Sequence, residues 1–272
     1  MRTVISAGEL GAAIDEAKAA EKKIAFVPTM GALHKGHASL IKRARDFSDE
    51  VVVSIFINPL QFENKDDLAK YPRTPELDIE TASKAGATHL WLPSVEEIYP
   101  GEFKKLSAGP LGDIYEGVKR PGHFDGVLTV VNRLFELVKP QWAVFGEKDF
   151  QQLTLIKSMK SNVQIIGAPT IRDFDGLALS SRNVRVSDRK AALVLYRALS
   201  AAAKEKSVDS ARAAMAKVLQ SEESFTLDYA EIINEENFEI AQQDDANKRA
   251  IIAGWVNGIR LIDNMPMNGG AQ

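Results

Sequence analysis

His34 and His37 stand one helical turn apart in the stretch Phe26-Val27-Pro28-Thr29-Met30-Gly31-Ala32-Leu33-His34-Lys35-Gly36-His37, where a short apolar run breaks into a glycine-bearing loop. Two imidazoles at that spacing can face the same phosphate and donate hydrogen bonds as charge builds during its transfer. Gly31 and Gly36 have no Cβ and allow close backbone approach. Ile24 to Val27 reads as a buried strand, and Ala38 to Phe47 carries helical spacing. The loop between them therefore aims backbone N–H groups from a helix start, where phosphate oxygens are favoured. A nucleotide phosphate site is the sharpest reading. Half of a zinc site and a plain solvated helix start remain open beside it. Zinc would need further ligands, and the chain offers no Cys and only His89 and His123 as other imidazoles.

The elements that must position this loop follow an alternating pattern. Candidate strands are Ile24 to Val27, Glu50 to Ile57, Thr88 to Leu92, Trp142 to Phe145 and Val163 to Ala168, with helical stretches at Ser39 to Phe47, Pro75 to Ala85, Val127 to Val138 and Gln151 to Lys160. That alternation predicts an α/β fold, a Rossmann-like parallel sheet with helices on both faces. Ligands in such sheets bind at the carboxyl ends of the strands, near a switch in strand order. Polar clusters follow the strand ends: Asn58-Pro59-Leu60-Gln61-Phe62, Gly146-Glu147-Lys148-Asp149, and Arg172 to Arg182.

After Arg182 the character changes. Asp188 to Leu219 is alanine-rich and helical, and Leu227 to Ile233, Arg249 to Val256 and Gly258 to Asp263 read as strands of a small mixed sheet. The expectation is a nucleotide- and substrate-binding domain over 1–180 and a smaller C-terminal α+β lid domain over 181–272, with the boundary near Ser180 to Ser187.

Composition sets the outer limits. With 272 residues, 45% of them hydrophobic, the chain can bury a substantial core in one large domain or two modest ones. The lack of cysteine excludes a disulfide framework, a thiolate metal site and a cysteine nucleophile. A net charge of −3 argues against a nucleic-acid surface. Met1 to Leu10 lacks a signal-peptide pattern and no apolar run approaches the roughly 20 residues that span a bilayer, so a cytoplasmic protein without membrane contact is expected.

Taken in order, PTMGALHKGH at 28–37, NPLQF at 58–62, YPRT at 71–74, RPGHFDGVLTVV at 120–131, FGEKDFQQL at 145–153, DGLALSSRN at 175–183 and RLIDN at 260–264 resemble the pantothenate synthetase (pantoate–β-alanine ligase) family of the HxGH nucleotidylyltransferase superfamily. The resemblance runs from Val4 to about Asn264. It implies a two-step reaction in which ATP and pantoate give pantoyl adenylate and pyrophosphate, and β-alanine then displaces AMP to give pantothenate. By the same resemblance Met30, Gly31, Ala32, Leu33, His34, Lys35, Gly36 and His37 form the ATP loop, with His37 in the acid role beside His34. Gln61 contacts pantoate and β-alanine, Gln152 makes a second contact to pantoate, and Asn58 adds a polar wall. Gly146, Glu147, Lys148 and Asp149 form a second nucleotide segment, Lys148 neutralising phosphate and Asp149 holding ribose. Ile171 lies against adenine, while Leu179, Ser180, Ser181 and Arg182 resemble the KMSKS-like loop over the triphosphate.

The sequence departs from the family pattern in places. Leu179 stands where many members carry methionine, a volume-conserving exchange of small consequence. Ser180-Ser181-Arg182 replaces the lysines of the wider superfamily signature, and Val184-Arg185-Val186 replaces an aromatic and a leucine. Mg²⁺ is implied by the triphosphate. Asp78 is the candidate carboxylate for it, with the ligand set left unassigned. Arg120 and His123 could clamp a phosphate or pin the loop after Gly117. A homodimer is expected by resemblance. Nucleotidyl transfer to another acceptor would share the histidine loop but would leave Gln61 and Gln152 unexplained, and a non-catalytic nucleotide binder would not need the whole charged set.

Overall fold

The computed structural model describes residues 1–62, 68–69 and 71–267. Its contacts divide the chain into two units, one of Met1–Glu147 with Gln151–Pro169 and the other of Lys148–Phe150 with Thr170–Gln272.

The first unit is built on strands β1 (Arg2–Val4), β2 (Ile24–Thr29), β3 (Glu50–Ile55), β4 (His89–Trp91), β5 (Trp142–Gly146) and β6 (Gln164–Ala168), with the principal helices α1 (Ala7–Ala19), α2 (Lys35–Arg45), α3 (Pro75–Ala85), α4 (His123–Val138) and α5 (Phe150–Lys157). The six strands form one sheet in the order β1-β4-β3-β2-β5-β6, and every neighbouring pair is parallel. Ile24, Ala25, Phe26 and Val27 are all fully buried. A strand apolar on both faces is what a parallel sheet with helices on both sides requires. On one face Val27, Val53 and Val144 pack with Ile41 of α2 and Ala82 of α3. On the other, Phe26 meets Phe135 of α4 edge to face, with ring centroids 6.4 Å apart. The strand order reverses between β2 and β5, which makes their carboxyl ends the switch point of the sheet.

The second unit carries helices α6 (Val194–Ala202) and α7 (Val208–Gln220) and strands β7 (Phe225–Asn234), β8 (Lys248–Val256) and β9 (Ile259–Pro266), paired antiparallel in the order β7-β8-β9. Leu195 and Leu199 of α6, Met215 of α7, Ile232 and Ile252 form its core. Asn257 and Gly258 close the β8–β9 hairpin with φ of 47° and 76°. A two-residue turn with both φ values positive favours Asn-Gly, because its twist matches that of the flanking strands.

Several sequence expectations change in detail. Helix α2 starts at Lys35 rather than Ala38, α4 at His123 rather than Val127, and α5 ends at Lys157 rather than Lys160. The expected mixed sheet of the tail is antiparallel throughout. Within the second unit Arg172 grips Asp263 of β9 through two guanidinium nitrogens at 2.6 and 3.0 Å.

Candidate active site

The loop after β2 is shaped by backbone polar groups that must find partners. Thr29 Oγ1 donates to the Ser54 carbonyl at 2.7 Å and accepts the Gly31 N–H at 3.2 Å. Gly31 adopts φ +84°, and a Cβ there would lie 3.0 Å from Ile55 Cγ2 and 3.1 Å from Asp78 Oδ2, so only glycine fits. Ala32 follows at φ +50°, a left-handed conformation that costs a residue with a Cβ roughly 1–2 kcal/mol. The offset comes from Asp78, whose two oxygens accept the N–H groups of Ala32 at 3.0 Å and Leu33 at 2.7 Å. Thr74 Oγ1 donates to the same carboxylate at 3.0 Å. Asp78 is buried in the first turn of α3, where the helix dipole favours its charge. The carboxylate proposed from sequence as a magnesium candidate is thus engaged by the loop itself.

The loop ends in a helix cap made of histidines. His34 is the N-cap of α2, and its Nδ1 accepts the Gly36 N–H at 3.1 Å, while His37 Nδ1 accepts the His34 N–H at 3.3 Å. This is the reciprocal geometry of a capping box, with imidazole in place of the usual Ser and Glu. An Nδ1 that accepts carries no proton, so in the neutral ring the proton sits on Nε2. Both rings are therefore Nε2–H donors, with centroids 4.2 Å apart. Leu33 turns into the core, whereas Lys35 is exposed.

A second group forms after β3. Asn58 is buried and its amide is fully oriented: Oδ1 accepts from the Tyr99 hydroxyl at 2.8 Å, and Nδ2 donates to Gln61 Oε1 and the Gly126 carbonyl, both at 3.1 Å. Burial pushes the Tyr99 phenol above its ordinary pKa, so it stays a donor. With Oε1 taken, Gln61 presents Nε2, which lies 3.1 Å from Met30 Sδ. His123 Nδ1 and Arg120 Nη2 both reach the Gln61 carbonyl, at 3.0 and 3.3 Å, and Arg120 Nη1 lies 3.0 Å from His123 Nε2. These contacts tie Arg120 and His123 to the turn that carries Gln61. A Cβ on Gly126 would sit 2.5 Å from the Leu60 carbonyl, so α4 approaches the turn only with glycine there.

Gly146 ends β5 at the switch point, and Glu147 opens the turn that follows. The two glutamines that follow have different surroundings. Gln151 is buried, donates to the carbonyls of Leu111 and Ile114 at 2.8 and 2.9 Å and accepts the Glu116 N–H at 3.2 Å, while Gln152 is half-buried.

In the second unit, Lys148 Nζ lies 3.8 Å from Asp149 Oδ1. Ile171 and Leu179 face each other across a small hairpin, where the Leu179 N–H donates to the Ile171 carbonyl at 2.9 Å and Arg172 bridges Ala178. Ser180 then accepts the Arg182 N–H at 3.2 Å and caps the turn Ser181–Arg185. Asp78, Tyr99 and Gly126 are the positioning residues that sequence reading misses as such. Each acts on residues distant along the chain, and no local pattern signals that.

A doubly wound parallel sheet carrying a histidine-capped loop at its switch point defines an α/β nucleotide-dependent enzyme of the HxGH class. A sequence model of the Pantoate-beta-alanine ligase family matches residues 2–266. The chain is 45% identical to pantothenate synthetase of Pseudomonas fluorescens, over 97% of this chain and 98% of that one. The crystal structure of pantothenate synthetase from Thermus thermophilus superimposes with a TM-score of 0.92 at 45% identity, covering 98% of this chain and 99% of that one. A pantoate-beta-alanine ligase from Francisella tularensis, complexed with beta-gamma ATP and beta-alanine, gives a TM-score of 0.80 at 32% identity over 99% of both chains. The chain belongs to the pantoate–β-alanine ligase family. It is an ATP-dependent ligase that condenses pantoate with β-alanine through a pantoyl adenylate, releasing AMP and pyrophosphate. Among the described residues, no helix is long and apolar enough to cross a membrane.

Proposed function

We propose that the Met30–His37 loop holds ATP while the carboxylate of pantoate attacks the α-phosphate. A free carboxylate is a poor acylating agent, and adenylation gives it a good leaving group. The protein's task is to align the reactants and to meet the charge that develops on phosphorus-bound oxygen. The observation that carries this reading is the reciprocal histidine cap, which fixes His34 and His37 as Nε2–H donors. His37 acts as the principal donor and His34 supports it. Gln61, held by Asn58 with Nε2 toward Met30, binds pantoate and β-alanine, and Gln152 supplies a further amide to pantoate. Gly146 and Glu147 continue the nucleotide site of the first unit.

Residues of the second unit take roles by motif. Lys148 neutralises phosphate, Asp149 holds ribose, Ile171 contacts adenine, and Leu179, Ser180, Ser181 and Arg182 cover the triphosphate. Among the described residues no three His, Asp or Glu side chains form a metal cluster, and the Asp78 carboxylate accepts three hydrogen bonds from the protein. Mg²⁺ would accompany ATP and offset the charge of its phosphates. The enzyme works in the cytoplasm as a homodimer.

Incubation with ATP, Mg²⁺, pantoate and β-alanine should yield AMP and pantothenate. Pyrophosphate release that ignores pantoate would overturn the assignment. Chelation by EDTA should abolish turnover and added Mg²⁺ restore it, and light scattering should give the mass of a dimer.

A further inference from the structure

The RLIDN stretch at 260–264 has no part in the roles assigned above, yet it contains two of the chain's few buried polar side chains, Asp263 and Asn264. Asn264 lies on β9, and its side-chain Nδ2 donates to the backbone carbonyl of Lys148 at 2.8 Å. Its Oδ1 accepts from Arg249 Nη1 at 2.6 Å. The amide has one satisfied orientation. Flipped, it would turn NH₂ toward a guanidinium and oxygen toward a carbonyl. Arg249, itself buried on β8, is held by Glu235 at 2.8 Å and lies with Cζ 3.8 Å above the Phe150 ring. Phe150 in turn stacks on Phe238 at 5.6 Å between centroids.

The main chain of Asn264 is fixed as well. Arg172 Nη2 donates to its carbonyl at 3.1 Å, and its N–H donates to Asp263 Oδ1 at 2.8 Å. Lys148 itself belongs to a single 3-10 turn, Glu147–Asp149, which is too short to define its own geometry. The turn runs directly from β5 into α5, and a buried amide on β9 adds a grip on its middle residue. Arg249 of β8 ties Glu235, next to β7, to Asn264 of β9, and through the Asn264 amide and the Phe150 ring the same network reaches residues 148–150.

We infer that Asn264, oriented by Arg249, is a positioning residue for the adenylation step, holding the backbone from which the Lys148 ammonium is presented to phosphate. The inference rests on the phosphate role proposed for Lys148. Asn264→Asp separates the effects, since it keeps an oxygen for Arg249 and loses the donor to Lys148. Misplacing a charge-stabilising group by about an ångström slows chemistry roughly ten- to hundredfold.

Single-turnover, pantoate-dependent pyrophosphate release should be measured for the wild type, Asn264→Asp, Lys148→Ala and the double variant. Lys148→Ala keeps the carbonyl that Asn264 grips. The expected result is an Asn264→Asp rate reduced roughly ten- to hundredfold, with the double variant no slower than Lys148→Ala alone. A structural role would instead multiply with the lysine variant. An Asn264→Asp rate equal to wild type, or independent effects in the double variant, overturns the inference while leaving the Lys148 role intact. A wild-type rate in Lys148→Ala overturns both. Asn264→Ser, whose hydroxyl is too short to reach Lys148, provides a second route if Asn264→Asp fails to fold, and it must show the same dependence on Lys148.

Discussion

The buried carboxylate of Asp78 accepts the backbone N–H of Leu33 at 2.7 Å, and through its other oxygen it holds Ala32 in a left-handed turn. The histidine loop is thus shaped by a residue on a different element. Asp78→Asn keeps the size but replaces one acceptor with an NH₂ that must face a backbone N–H. A loss of about 1–3 kcal/mol in unfolding free energy is expected from the unsatisfied pair. Denaturant titration measures that loss, and the same variant should show a raised KM for ATP. Unchanged values of both would show that the turn holds without the carboxylate.

His37→Ala should slow adenylation by roughly 10²- to 10³-fold, the range for loss of one preorganised donor to a developing charge. Stopped-flow pyrophosphate release is the readout. Because His37 also accepts the N–H of His34, a control on helicity is needed. His37→Asn, with a side-chain oxygen able to cap, should restore stability without restoring rate, and recovery of the rate would refute the donor role.

Tyr99→Phe removes the hydroxyl that donates to Asn58 Oδ1 at 2.8 Å. The Asn58 amide loses one of the bonds that set its orientation, and Gln61 loses its fixed acceptor end. The pantoate KM should rise about three- to tenfold, the worth of roughly 1 kcal/mol for one hydrogen bond. Gln61→Ala should raise it further. Steady-state kinetics with varied pantoate decide the matter, and a Tyr99→Phe enzyme with wild-type KM would remove Tyr99 from the chain of orientation.

His89 supplies a pH test of stability. Its Nδ1 lies 3.5 Å from Glu50 Oε2, yet burial, the dominant influence, holds the imidazole below its ordinary value of 6.5. The unfolded chain therefore takes up the proton first. Stability from this group is complete above about pH 6.5 and is lost as pH falls toward the folded-state pKa. Between about pH 6.5 and 5, above the carboxylate range, the melting temperature of the wild type should fall more steeply than that of His89→Gln. Parallel curves would show that His89 titrates alike in both states.

Elements are legible in the sequence where their signals are local. Helix α3 runs Pro75–Ala85 as expected, because Pro75 opens it and Gly86, at φ +101°, closes it. Helices that begin within a motif start earlier than their apolar spacing suggests, since His34 is not a residue that normally announces a cap. Strand β1 has three residues, too few to show a period, whereas α1 does carry local signals, a Ser6–Glu9 capping box and the buried stripe Leu10, Ala13, Ile14 and Ala17, although the alternation read above begins only at Ile24. The site divides in the same way. The Gly31 turn and the His34–His37 pair are legible as a string. The hold of Asp78 on Leu33, of Tyr99 on Asn58 and of Asn264 on Lys148 joins positions far apart in the chain, and only the fold discloses them.

The inclusion of Lys148–Phe150 in a unit otherwise made of Thr170 onward has a practical consequence for dissection of this enzyme. A fragment starting at Thr170 would leave Arg249 without the Phe150 ring and Asn264 without the Lys148 carbonyl, two buried polar groups each with one partner cut away. A fragment ending at Pro169 would carry the same three residues with nothing from β8 or β9 to hold them. The C-terminal segment is therefore not an exchangeable module. Grafting it from a relative means exchanging residues 148–150 along with it.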